Sequence, residues 1–422
     1  MPSPHPAANG HSESQSVAGP SDLSRAARAS HEDERPRPIY TQTSQYRHWN
    51  MSPSALAEQK EKEWHASRKR VQESWEREMG LAGTLPEEVR LRAPEVWPDA
   101  AELDTMVRFY LGKLRGLVGV FGLPDLVEET ASTYLKRFFV KRCALEWSVK
   151  DIMLTCLYLS LKSTSHTVPL SYFATKIAGK APGKDAVKEM EQTIRGLEFG
   201  VADAIGWELS VHGPGRALRG LVYDMQSLQP SPLSTLHALL PRAQSLLWSA
   251  RLTDLELLYP PSQIALACLM GSASSSSANA QTEQQDEAAK LVNRWLQDKY
   301  ERGEREHQRR QEEYQKIQAK ASSNKEGSNS ALADTGSSEA SDAPKAPFDQ
   351  TIEELQSSLR KILGVIVAQE ALSKEMSMPA SAEEDESATG GKAPSRELVE
   401  VKRIDALLKA SADPAKRPGS AR

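Results

Sequence analysis

The 422-residue chain has few cysteines, few aromatics and almost no excess charge, and each shortage removes a class of protein. Cys143, Cys156 and Cys268 form no Cys-x-x-Cys pair, and the nine histidines give no HxxxH or HExxH frame, so no metal site is expected. Cys156 and Cys268 lie within apolar helical patterns, and all three read as reduced residues of an intracellular protein. No run of about 18 apolar residues occurs and no apolar signal core opens the chain, so it is expected neither to span a membrane nor to be secreted. A net charge of −4, from 53 basic and 57 acidic residues, offers no footprint for nucleic acid or an anionic membrane. The balance favours a soluble protein partner.

Catalytic frames are missing too. There is no GxSxG and no nucleophilic cysteine with a base at hand, and Gly213-Pro-Gly215 follows no strand and lacks the GxxxxGK[ST] frame. That glycine pair reads as a helix-to-helix linker. The expectation is a protein with no catalytic residues, no cofactor and no covalent chemistry of its own.

What is present is helical periodicity. Ile152 to Leu161 is apolar or small all the way round, which suits a helix buried on every side at the centre of a bundle. Lys162 closes that run, where a lysine must reach water or meet a carboxylate. A candidate is Glu198, on the edge of the stripe Val187, Met190, Ile194, Leu197, Val201 and Ile205 of a later helix. Around these two, residues 99–119 form a first bundle helix capped by Asp99, and a second starts at Pro124. The helix from Ser148 is third, Leu170 to Ala178 a short fourth, and the Glu198 helix fifth.

From Gly213 the pattern begins again with Leu218 to Leu228, Pro232 to Arg251 and Pro261 to Met270. A weak internal duplication sets Gln263-Ile-Ala-Leu-Ala-Cys268 beside Lys150-Asp-Ile-Met-Leu-Thr-Cys156. Leu291 to Tyr300 and Phe348 to Ala371 are read as the fourth and fifth helices of this second bundle. Outside the bundles, Ser52-Pro53 opens a long helix with a thin stripe (Leu56, Trp64, Val71, Trp75, Met79), for which Gly80 could supply the C′ residue. So sparse a stripe suits either a solvated helix or one lying against another protein. The tail holds a last amphipathic segment, Ser395 to Leu408, with Leu398, Val401, Ile404 and Leu408 on one face. Met1 to Pro38 and Gly271 to Pro347 are too polar to offset chain entropy and are expected to be disordered.

A buried helix ending in Lys162, a loop with Pro169, and a helix carrying Glu198 beside its seam together resemble the cyclin box. Ile39-Tyr-Thr-Gln-Thr-Ser-Gln-Tyr-Arg-His-Trp49, Val211 to Gln226 and Thr253 to Ala267 are similar, more narrowly, to segments of the cyclin H group. The resemblance covers roughly residues 39–270. It implies an all-α protein of two consecutive five-helix cyclin-box bundles flanked by N- and C-terminal helices. The expected division is a tail at 1–38, an N-terminal peptide and helix at 39–80, a first box at 98–212 and a second at 213–371. Within the second box 272–347 is a mostly disordered insertion; a linker at 372–394 leads to a C-terminal helix and tail at 395–422.

The resemblance also implies a function: a regulatory subunit that activates a cyclin-dependent kinase of the CDK-activating, transcription factor IIH type. Its expected partners are the kinase catalytic subunit, an assembly factor of that kinase and the TFIIH core. Its setting would be nuclear, in RNA polymerase II transcription. Lys162 and Glu198 match the family's kinase-binding lysine and glutamate. The chain departs from the family at His212-Gly-Pro-Gly-Arg216, which lacks the aromatic of the junction segment. It also has Lys113 where cell-cycle cyclins carry a tryptophan in a substrate-docking patch. Alternatives from other classes are a transcriptional cyclin with a different kinase, a TFIIB-like DNA-binding protein, or a plain helical scaffold.

Overall fold

A computed structural model describes residues 39–82, 96–179, 183–228, 233–274, 283–326, 351–379 and 394–412. The 1–38 tail falls outside the described residues. Among those described, every regular element is helical, and the sole pairing of β type is an isolated bridge between Pro379 and Ser395.

A 3-10 turn at Ile39–Gln42 and α1 (Ser44–Trp49) lead into α2 (Pro53–Ala82). Ser52 caps α2 through its Oγ, which accepts from Ala55 N at 3.2 Å, but the helix continues through Gly80 rather than ending there. The first bundle comprises α3 (Ala100–Phe121), α4 (Asp125–Lys141), α5 (Val149–Ser163), α6 (Leu170–Ala178) and α7 (Lys184–Ala204). Asp99 and Glu102 form a reciprocal capping box at the start of α3, with bonds of 2.8 and 2.9 Å that satisfy two free first-turn donors. As its composition requires, α5 is buried from Ile152 to Leu161 and packs against α3, α4 and α7.

The second bundle follows with α8 (Pro214–Met225), α9 (Leu233–Arg251), the one-turn α10 (Leu255–Leu258), α11 (Pro261–Ser274), α12 (Glu283–Glu326) and α13 (Ile352–Met376). Here α11 takes the central place, packed on α8, α9, α12 and α13. Each bundle has its own apolar core. Tyr134, Phe138, Leu157, Phe173 and Ile194 fill the first; Leu246, Ile264, Leu269, Trp295 and Ile362 fill the second. The last helix, α14 (Arg396–Ser411), caps on Ser395 and lays Val401 and Ile404 on Leu103 and Met106 of α3. The indole of Trp75 in α2 reaches the carbonyl of Ser411, so the two flanking helices meet.

Three expectations need correction. The 272–347 insertion is helical over residues 283–326, including the charge run after Tyr300. That run pairs opposite charges three or four residues apart, as in Arg302–Asp298 at 2.6 Å and Arg310–Glu306 at 3.1 Å, and carries no proline. Residues 275–282 and 327–350 lie outside the described part. The fifth helix of the second bundle extends past Ala371 to Met376, shortening the expected 372–394 linker. And Leu398 sits at the solvent edge of α14 rather than in its seam.

Candidate functional site

Lys162 lies in the last turn of α5 and Glu198 in the penultimate turn of α7, and the packing of those helices brings them together. The Lys162 ammonium donates to Glu198 Oε1 and sits 4.8 Å from the centre of the Tyr158 ring. Both partners remain reachable, with 42 % and 27 % of their side chains exposed. The pair therefore occupies a surface patch and not the core.

Two exposed aromatics follow Glu198 closely in the chain. Phe199 is 69 % exposed and Trp207 is 56 % exposed, with ring centres 5.4 Å apart in an edge-to-face arrangement. Trp207 is held outward by its backbone: Gly206 and Trp207 both take left-handed φ values, 67° and 59°, and Trp207 N–H bonds the Ala202 carbonyl at 2.8 Å. A bulky residue in that region costs of order 1–3 kcal/mol. Phe199 could have been found in the sequence, being an aromatic off the apolar stripe of its helix. The orientation of Trp207 could not, since it depends on the backbone path after α7.

Behind this patch a polar seam joins the two bundles. The sequence gives α4 the look of a half-solvated helix, yet Glu128, Glu129, Thr130, Ser132, Thr133, Lys136 and Arg137 are all buried. Lys136 pairs with Glu256 of α10 at 3.1 Å. Arg251, at the end of α9, lies 3.3 Å from Glu128 and 3.6 Å from Glu129. Burial pushes both glutamates above their ordinary range, against the pull of Arg251. Glu129 also accepts from Gly215 N at 2.8 Å. A Cβ on Gly213 would fall 1.9 Å from Glu129 Cδ, so the glycine at this linker is required by a close approach of α4.

Arg137 connects the seam to the N-terminal peptide. It donates to the Glu208 carbonyl at 2.8 Å and to Gln45 Oε1 at 3.2 Å, and lies 5.1 Å from the centre of the Trp49 ring. Burial lowers its pKa to about 10, against the opposing influence of Glu208. Gln45 binds both the N–H and the carbonyl of His212, at 2.8 and 3.1 Å. Trp49 donates to Glu208 Oε2 at 2.8 Å. Further along α2, Lys60 bonds Asp104 of the first bundle at 3.1 Å and Asp254 of the second at 2.7 Å.

The three cysteines are buried and unpaired, and burial raises their thiols, Cys143 to about 11. Among the described residues no cluster of His, Cys, Asp and Glu could hold a metal, and no helix is long and apolar enough to cross a membrane.

Comparison with known proteins agrees with this architecture. Residues 213–368 match the model of the cyclin C-terminal domain. Cyclin-H1-1 of Arabidopsis thaliana is 30 % identical over 176 residues, 41 % of this chain and 49 % of that one. Cyclin CCL1 of Saccharomyces cerevisiae is 24 % identical over 235 residues, 55 % of this chain and 57 % of that one. The chain thus spans about half the length of these curated relatives. A chain in the structure of the CAK complex of Chaetomium thermophilum bound to ATP-gamma-S superposes with a TM-score of 0.57 at 21 % identity, covering 91 % of this chain and 96 % of that one. That likeness is one of fold. Two like helical bundles are joined at a linker, and the match to the cyclin C-terminal domain falls on the second. Cyclin-H of Xenopus laevis is 29 % identical over 160 residues, 38 % of this chain and 48 % of that one.

Proposed function

We propose that the chain is a cyclin H-type regulatory subunit that binds and activates a cyclin-dependent kinase of the CDK-activating, TFIIH type. In this reading its partners are the kinase catalytic subunit, an assembly factor and the TFIIH core, and its work is nuclear, supporting phosphorylation of the RNA polymerase II C-terminal domain. It supplies no catalytic residue. Its relatives' names support the reading, as does the assembly in which the superposing fold occurs.

The observation that carries it is the accessible Lys162–Glu198 pair, with the exposed Phe199 next to Glu198 in the chain. As an isolated surface ion pair it would contribute under about 1 kcal/mol to folding. As a docking site it combines a donor and an acceptor with exposed aromatic area, the mix that anchors protein interfaces. A kinase must pair its strand lysine with the glutamate of its mobile helix to hold ATP phosphates. A cyclin that binds only the helix-in arrangement shifts that equilibrium from 1:99 to 99:1 if its preference is about 5.5 kcal/mol. Helix α2 would extend the contact.

The test is co-expression with the kinase subunit and assay on a polymerase-tail peptide and an activation-loop substrate. Lys162→Ala with Glu198→Ala is expected to weaken binding and activation by at least about tenfold, the loss of one buried charged contact at an interface. Normal binding and activation by that double variant would remove the assignment.

A further inference from the structure

A second surface is offered by α8, the helix that opens the second bundle. Leu218, Val222 and Met225 of that helix are buried in the core. Arg216, Arg219 and Tyr223 follow one another at spacings of three and four, so they share the opposite face. All three are exposed, Tyr223 to 70 %, a large fraction for an aromatic side chain.

Among the described residues, none accepts a hydrogen bond from the guanidinium of Arg216 or Arg219 or forms an ion pair with it. The carboxylates within reach are already engaged. Glu129 feels the charge of Arg219, but it is buried and turned to Arg251 at 3.6 Å and Gly215 N at 2.8 Å. Asp224, the one acid of α8, is held by Lys299 at 2.7 Å and Trp295 at 2.8 Å. Burial keeps the His212 imidazole below its ordinary range, and the charges of Arg216 and Arg137 push it the same way. The strip thus carries two uncommitted cations in a positive neighbourhood, with an aromatic ring at one end. Guanidiniums in that state offer their donors to an incoming anion.

We propose that Arg216 and Arg219 bind one phosphorylated serine or threonine in a peptide segment of a partner protein, with Tyr223 packing on the residue beside it. Side chains one helical turn apart leave from Cβ atoms about 5–6 Å apart, near enough for both guanidiniums to converge on a single tetrahedral anion. A phosphate brings three strong acceptor oxygens and a charge of about −1.5 to −2, so it uses both forks, whereas a carboxylate is filled by one. A nucleic acid suits the strip less. It needs a row of cations for successive phosphates, and α8 presents only this pair, on a chain of net charge −4. The inference is independent of the kinase assignment, because it uses none of the same residues.

The probe is a fluorescein-labelled library of short peptides, each with a fixed phosphoserine between degenerate positions, and its binding to the full chain is read by fluorescence anisotropy. Libraries with serine or glutamate in the fixed place are the controls. The phosphoserine library is expected to bind at least about tenfold more tightly than either, as hydrogen bonds to a charged group allow. Arg216→Glu and Arg219→Glu should each remove that difference, and Tyr223→Ala should weaken the phosphoserine library while keeping its preference over serine. Arg195→Glu makes the same change of charge at an exposed position of α7 and should leave binding as it is. Unchanged melting temperatures show that the variants fold. Equal binding of the serine or glutamate library, indifference to both arginine variants, an equal loss in Arg195→Glu, or displacement by a single-stranded oligonucleotide as readily as by unlabelled phosphopeptide would each overturn the proposal.

Discussion

Gly213 is the residue on which the joint between the bundles closes. Any side chain there must displace the Glu129 carboxylate, which itself holds Gly215 N and faces Arg251. Gly213→Ala is therefore expected to cost about 1–3 kcal/mol, as overpacking does, with a fall in melting temperature. Gly220→Ala, on α8 with open space around it, should be neutral or better. A second residue-scale effect concerns Asp224. Burial raises its carboxyl, but bonds from Lys299 and Trp295 outweigh that and set it below the usual 3.8. A depressed acid stabilises the fold above its unfolded pKa, and that share is lost as pH falls through the lower, folded value. Asp224→Asn should lower the melting temperature in the neutral region and flatten the acid limb below about pH 4, where the wild type loses the same share.

The residues that pair were only partly legible in advance. Lys162 and Glu198 could be singled out because one closes an apolar run and the other lies on the edge of an apolar stripe, and the fold brings them into contact. The seam could not be read, because Glu128, Glu129, Lys136 and Arg137 look like any solvated helix face until a second bundle is laid on them. Lys60 was hidden for the same reason, since its two aspartates lie far away in the chain. Gly213-Pro-Gly215 was the one local sign that something came close.

Among the elements, α12 divides into two parts with different physics. Leu291, Val292, Trp295 and Leu296 pack in the second core and Ala288 against Leu239 and Ala273, whereas residues 301–326 project as a helix about 39 Å long at 1.5 Å per residue. The projecting part rests on its own charge pairs, such as Arg309–Glu306 at 2.9 Å. Gln311→Pro should cost the arm about 3 kcal/mol of helix stability and reduce the far-UV helical signal. The main unfolding transition should not move, since nothing in either core touches that residue. The sequence marked the packed turns of α12 by their apolar spacing but not the arm, whose polarity reads as disorder when side-chain pairing is ignored. Helix α14 is the opposite case, held by a few apolar side chains. Ile404 is fully buried, so Ile404→Ala should cost about 2–5 kcal/mol and expose the α3 face to hydrogen exchange.

For the whole molecule, the N-terminal peptide and α2 act as a clasp over both bundles. Gln45 binds at the linker, Met51 N–H bonds the Leu257 carbonyl at 2.8 Å, and Lys60 spans Asp104 and Asp254. Lys60→Met leaves two carboxylates facing one another and should lower the melting temperature. Adding Asp254→Asn should recover part of the loss, with a coupling of about 0.5–3 kcal/mol in a double-mutant cycle. Additive effects would mean that the three groups do not act together. The two-bundle plan itself was legible from the repeated order of helices, because a helix apolar on all sides can only be central. The relative placement of the bundles was not, because it is set by contacts between residues distant in the chain.

The lone bridge between Pro379 and Ser395, backed by Arg396 N–H on the Met378 carbonyl at 2.9 Å, brings both ends of the intervening stretch to one point. Whatever is spliced in between leaves from and returns to the same place. Each doubling of such a loop adds only about 0.6 kcal/mol of closure entropy. This makes the interval between Pro379 and Ser395 a natural insertion point, where a reporter domain could be grafted without shifting the register of the last helix.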